Sequence, residues 1–334
     1  MKIKRYCKAQ LSKVKFELGM SPIIKGKAEK SGTYIPTPFK SVCLISADFE
    51  LAWASRYSKG ALDPLTKAIN DGHKTRENIP PILDLCDKYE IPITWATVGH
   101  LFLEKCSPVN GAKHPEIPRL PYFENRYWEY AQGDWFDHDP CSDYSTDPAW
   151  FAPDLIKEIL SREAKHEIGC HTFSHIDCSD NINNGAAFAA EINKCIELAG
   201  EWGLQLRSFV HPGHTIGNLE KLHELGFTSF RTDYGDTLGY PVRHFENLWE
   251  LRNTAGLDWR EGWCVAYHVY RYKTIIERAI KYNRLCVLWF HPSLPTRFVE
   301  QVLPEIFAHL AQRAPEIKCL THGSYTNWLN GGSL

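Results

Sequence analysis

The sequence predicts an α/β fold, either a parallel sheet or a barrel wrapped by helices. Two observations carry that reading. Short apolar runs alternate with helical stretches about seven times after residue 40, the pattern of strands joined by crossover helices. Polar residues suited to chemistry recur where those runs end, and in parallel α/β folds ligands gather at the ends of strands. With 334 residues, the chain is long enough to bury a full core.

The elements follow in order. "SVCLISADFEL" is a short apolar run, the look of a buried strand. "RENIPPILDLCDKYE" is helical, with prolines near its start, and "IPITWATVGHLFL" is the next strand. Residues 104–150 break the rhythm. They are rich in aromatic rings, Asp and Pro, and too long for an ordinary connection. They read as an insertion over the mouth, a ring-lined lid or a subdomain shielding a sheet edge. "APDLIKEILSREAK" returns to helix and leads into "HEIGCHTFSH". "GAAFAAEINKCIELAGEWG" is a strong helix ended by Gly203. Then come strand-like "LRSFVHPGH", helical "NLEKLHELGF", and strand-like "TSFRTD" and "NLWELRN". "YKTIIERAIKYN", "RLCVLWFHPS", "FVEQVLPEIFAHLAQRA" and "IKCLTHGSY" complete the alternation.

Composition excludes several classes. The formal net charge is −2, which argues against a nucleic-acid binder. Eleven cysteines, an odd number without C-x-x-C, do not suggest a secreted disulfide scaffold or a zinc ribbon. Reduced, mostly buried thiols are expected. No apolar run reaches membrane-spanning length, and the start lacks a secretory apolar core. An intracellular, cytoplasmic protein is the expectation. Residues 1–40 form a basic extension and linker, with ten Lys and Arg against Glu17 and Glu29. Within it Ile3, Cys7, Leu11, Val14 and Leu18 recur at helical spacing. Such a helix can lie on an anionic membrane surface, or pack on its own domain or a partner.

The candidate chemistry begins with His171 and His175, the single H-x-x-x-H pair in the chain. Gly169 and Thr172 argue against a regular helix there. A strand end followed by a turn can also converge two imidazoles on one ion. Asp48 and Glu50 stand at i and i+2, so on an extended strand both point the same way. Two buried carboxylates together need a cation or strong donors. One carboxylate with two histidines is an open metal set, and the other carboxylate is then free to take a proton. His291 ends the late apolar strand and is placed to act as an acid.

With these residues assembled, the chain resembles the polysaccharide deacetylase family, the NodB-type carbohydrate esterases of family 4. The branch it most resembles comes from surface-polysaccharide and modified-sugar clusters. The matching stretches are "SADFE", "DPAWFAPDLIKEIL", "HEIGCHTFSH", "SFVHPGH", "GFTSFR", "LWELRNT" and "LWFHP". The resemblance implies a distorted (β/α)7-type barrel over residues 41–330. It also implies one divalent ion, most often zinc, and hydrolysis of the acetamide of an N-acetylated sugar to an amine and acetate. Asp48 resembles the catalytic base and His291 the catalytic acid. Glu50, His171 and His175 resemble the metal ligands. The family's adjacent aspartates are separated here by Phe49, so which carboxylate binds the ion stays open. The family's base-holding arginine is replaced by Val210, with Arg231 or Arg207 the candidates to take its place. His211, His214, Trp289 and Trp135 are the expected substrate contacts. The acetamido sugar would be carried by a nucleotide, a lipid or a glycan. Other readings are hydrolysis of an N-formyl sugar or a cyclic ureide, or a barrel that binds a glycan with little turnover.

Overall fold

A computed structural model describes residues 2–334, with side chains from Tyr6 on. Eight parallel strands form the framework: β1 (Ser41–Phe49), β2 (Thr94–Thr97), β3 (Glu167–Cys170), β4 (Ser208–Val210), β5 (Ser229–Thr232), β6 (Trp249–Arg252), β7 (Leu285–Phe290) and β8 (Ile317–Leu320). Their order is β6-β5-β4-β3-β2-β1-β7, with β8 also on β1. β1 is buried along its whole length, which explains why "SVCLISADF" is an unbroken apolar run rather than an alternating one. Its first half pairs with β8, its second half with β2, and β7 runs along the other side. The stretch from Trp249 to Gly256 pairs first with β5 and then with β7. One piece of chain thereby bridges both margins of the curled sheet, and the architecture is the distorted barrel expected from the sequence.

The helices pack around this sheet. α1 spans Lys2–Glu17, α2 Pro64–Tyr89, α3 Pro153–Ser161, α4 Gly185–Glu201, α5 Leu219–Glu224, α6 Val265–Tyr282, α7 Thr296–Gln301, α8 Leu303–Gln312 and α9 His322–Leu329. α2 is much longer than the sequence suggested. Asp63 caps it by accepting from the Thr66 N–H at 3.0 Å, Pro64 starts it, and Pro80 and Pro81 lie inside it. Asn78 anchors the middle of this helix. Its buried side-chain amide donates to the carbonyls of Pro292 and Leu294, each at 2.7 Å, tying mid-helix to the turn after β7.

The N-terminal segment forms the expected helix, but a different face is buried. Ala9 and Phe16 are buried, and the Trp263 indole N–H donates to the Ala9 carbonyl at 3.1 Å. Leu11, Val14 and Leu18 are more than half exposed, and Cys7 is exposed too. The Ile3 side chain lies outside the described residues. The spacing of apolar residues pointed to one stripe, while small Ala9 and the ring of Phe16 fit the surface of α6. Among the described residues no helix is long and apolar enough to cross a membrane.

Candidate metal centre and catalytic cleft

Strand ends bring the predicted residues together. Glu50 follows β1, His171 follows β3, and His175 lies four residues further along a turn. The Glu50 Oε1 stands 2.9 Å from His171 Nε2 and 3.2 Å from His175 Nε2. All three groups are buried. The turn depends on left-handed backbone at Thr172 (φ 60°) and His175 (φ 57°), rare for residues with side chains. Packing from behind holds it there. The Ser174 N–H donates to Glu191 Oε2 at 2.8 Å and its hydroxyl to Oε1 at 2.6 Å. Arg56, itself buried, donates to the Ser174 carbonyl at 2.8 Å.

The hydrogen bonds fit a cation at this point. His171 Nδ1 faces the Val210 carbonyl at 2.7 Å, so that nitrogen is the N–H. Nε2 then presents a lone pair toward a carboxylate oxygen, and a neutral imidazole has no second proton to place between them. A cation shared by the two removes the conflict. Burial pushes His175 down to about 4, against the pull of Glu50. Burial also disfavours the charged form of Glu50, but the neighbouring His291 and His175 more than offset it, and Glu50 lies well below the usual carboxylate range. At neutral pH the site therefore offers the Glu50 carboxylate and a His175 lone pair, forms that bind zinc.

Asp48 is held apart from this set. Arg231, on β5 and fully buried, grips it with two hydrogen bonds of 2.7 Å, one to each oxygen. Burial would raise its pKa, but the guanidinium charge and hydrogen bonds outweigh that and hold the carboxyl below its ordinary value. Both arginine bonds together leave lone-pair sites on the carboxylate free. Arg207 is exposed and bonds Gln205 instead, so of the two candidate arginines Arg231 is the one that meets Asp48. His291 stands half exposed above the pair, its Nε2 4.0 Å from Asp48 and 3.7 Å from Glu50.

These groups open into a cleft of about 880 Å³. His214 and Trp289 line it, as expected for substrate contacts. His211 and Trp135 do not, and both assignments are corrected. His211 is buried behind the wall, with Nε2 on the Gly217 carbonyl at 3.0 Å. Trp135 is buried against Tyr57, and its indole N–H reaches the Ser174 hydroxyl at 3.0 Å, so it supports the histidine turn. The rings of the segment that meet the cleft are Tyr127 and Trp128, the latter set edge-on to His175 at 5.1 Å. Its neighbours Tyr127 and Glu129 bond Lys59 and Tyr57, fastening this part of the 104–150 segment beside the mouth. Composition marked that segment as aromatic; spacing held no signal for which ring would reach inside. Asn78, which braces the His291 turn, was equally invisible.

Gly213 makes room for Trp128. It has φ 55°, and an added Cβ would lie 2.6 Å from the indole ring. Gly213→Ala is expected to lower the unfolding free energy by roughly 1–2 kcal/mol from left-handed backbone alone, read from a urea titration. An unchanged midpoint would contradict this close packing.

Residues 65–219 match the family model for polysaccharide deacetylase. The match covers a little under half of the chain. It holds His171 and His175, while Asp48, Glu50, Arg231 and His291 flank it. No curated protein matches the chain. Among solved structures it is similar to a probable polysaccharide deacetylase from Pseudomonas aeruginosa PAO1, with TM-score 0.58 and 12% identity over 86% of this chain and 90% of that one. It is equally similar to the Puue allantoinase, with TM-score 0.58 and 13% identity over 90% and 93%. At that identity the likeness is one of fold.

Proposed function

We propose that this protein is a polysaccharide deacetylase family member and a metal-dependent N-deacetylase of an acetamido sugar. The observation that carries the reading is the division of the two carboxylates: Asp48 is clamped by Arg231, and Glu50 faces His171 and His175. Glu50, His171 and His175 would hold the ion, which supplies Lewis acidity at the amide carbonyl when bound. Asp48 accepts the proton of the attacking water, and its low pKa keeps it ionised for that task. His291 donates a proton to the departing amine. Trp128, Trp289 and His214 wall the sugar. Lys8, Lys59 and Arg126 at the cleft favour a substrate on an anionic carrier.

His291→Ala is expected to lower kcat by about 10²–10⁴-fold, the usual share of a general acid. The loss should shrink on an aryl amide, whose amine leaves without help; an equal loss on both substrates would remove the acid role. The reading itself is tested by acetate release from nucleotide-linked and oligomeric N-acetyl amino sugars, abolished by chelation and restored by zinc. The same barrel carries an allantoinase, so ring opening of a cyclic ureide is the second reading. Ureide turnover without acetate release would replace the first with it.

A further inference from the structure

A second group of metal-type donors lies outside the cleft. His100, in the short helical turn after β2, meets Cys106, His114 and Asp139 from the segment that follows. His100, His114 and Asp139 are buried, and Cys106 is half-buried. Their donor atoms all lie within 4.8 Å of one another. Asp139 Oδ2 stands 3.2 Å from His100 Nε2 and 2.8 Å from His114 Nε2. Cys106 Sγ stands 3.6 Å from His100 Nε2 and 3.6 Å from Asp139 Oδ2. Tetrahedral zinc with ordinary bond lengths separates its N and O ligands by about 3.3 Å and its S from them by about 3.6 Å. The four groups already approach those separations.

Hydrogen bonding points the same way. His100 Nδ1 faces the Trp150 carbonyl at 3.2 Å, so the ring has an acceptor at each nitrogen and one proton to share when neutral. Histidine ligands of zinc are commonly oriented in this way, by a carbonyl on the far nitrogen. The Cys141 N–H donates to Asp139 Oδ1 at 2.9 Å, leaving Oδ2 toward the cluster. Among the described residues, no lysine or arginine side chain pairs with the Asp139 carboxylate. Lys113, the neighbouring cation, is spent on backbone carbonyls of Asp137 and Asp139.

We infer that His100, Cys106, His114 and Asp139 form a structural zinc site that pins the 104–150 segment to the barrel. Four protein ligands leave no open position, the mark of a structural rather than catalytic ion. Zinc entry displaces the Cys106 thiol proton to solvent. The thiolate and the carboxylate then balance the dication, and the buried site is neutral. Sulfur and nitrogen donors select zinc over calcium or magnesium. The consequence reaches the cleft. The segment contains just two short strands, Phe123–Glu124 and Glu129–Tyr130, yet it must hold Trp128 against His175. A clip across such a segment adds to the hold of the rings it buries in the core.

The test counts and identifies metal in the full chain. Purified protein should hold about two equivalents of zinc per chain, one for each set of ligands. After cobalt exchange, it should show a thiolate-to-cobalt charge-transfer band in the near ultraviolet. The cleft set has no cysteine, so His171→Ala should lose one equivalent and keep the band. Cys106→Ser should lose the band. Chelation should expose the 104–150 segment to trypsin. Cobalt-loaded wild-type protein without a thiolate band would overturn the site, as would a band that survives in Cys106→Ser. One equivalent of metal with the band present would support this site and count against the cleft as a metal centre, so the two readings fail separately.

Discussion

Asp48→Asn is expected to lower kcat by about 10²–10⁴-fold, the range for loss of a general base, with metal content unchanged. The amide is nearly the same size and can still accept from Arg231, but it cannot take a proton from water. Glu50 and both histidines are untouched, since Asp48 points to Arg231 rather than to them. Metal analysis and acetate release on the same sample therefore separate the two carboxylates. If the metal is lost with the activity, Asp48 is a ligand. If activity stays near wild type, the base is another group. The reverse pattern is expected of Glu50, where loss of metal should accompany loss of turnover.

Arg231→Ala should be the more damaging change to the fold. It leaves Asp48 buried without its cation, and removing one partner of a buried pair costs about 3–5 kcal/mol. The effect on activity has a sign. Arg231 holds the Asp48 pKa below its ordinary value, so in the wild type the base form persists to pH values below the usual carboxylate range. Without Arg231, the main opposition to burial is gone and the pKa rises. The acid limb of the kcat/KM profile should then move to higher pH, while a merely destabilised enzyme would lose amplitude and keep its limb. Arg231→Lys should fall between, since an ammonium restores charge but not the two-pronged grip. The stability contribution follows the same logic. It is present above the unfolded-state pKa and is lost as pH falls through the lower folded value, so the wild type keeps this pair through the neutral range.

Much of this was legible in the residues. The strand with Asp48 and Glu50, the turn with His171 and His175, and the late strand ending in His291 each carried a local signature of apolar run followed by polar residue. Such signatures survive in sequence because strand ends are local. The partner of Asp48 was harder. Arg231 lies 183 positions away, on a strand separated from β1 by three others, and only the curl of the sheet brings the two side chains together. Arg207 looked equivalent until the sheet aimed its side chain outward. His211 and Trp135 failed for a related reason. Residue type suggested a sugar contact, but whether a ring lines a cleft or supports its wall depends on which way it points. The face that α1 buries escaped because Ala9 carries little weight in an apolar pattern, yet its size is what lets the helix approach.

The strand that bears Asp48 and leads into Glu50 is paired on each side along most of its length, by three neighbours, whereas the ring over the cleft belongs to a segment nearly devoid of regular pairing. The molecule thus separates a stiff floor, where proton positions are fixed, from a wall that can be rewritten. Substitutions in the wall can therefore change what the cleft admits, one loop at a time, while the groups of the floor stay in register.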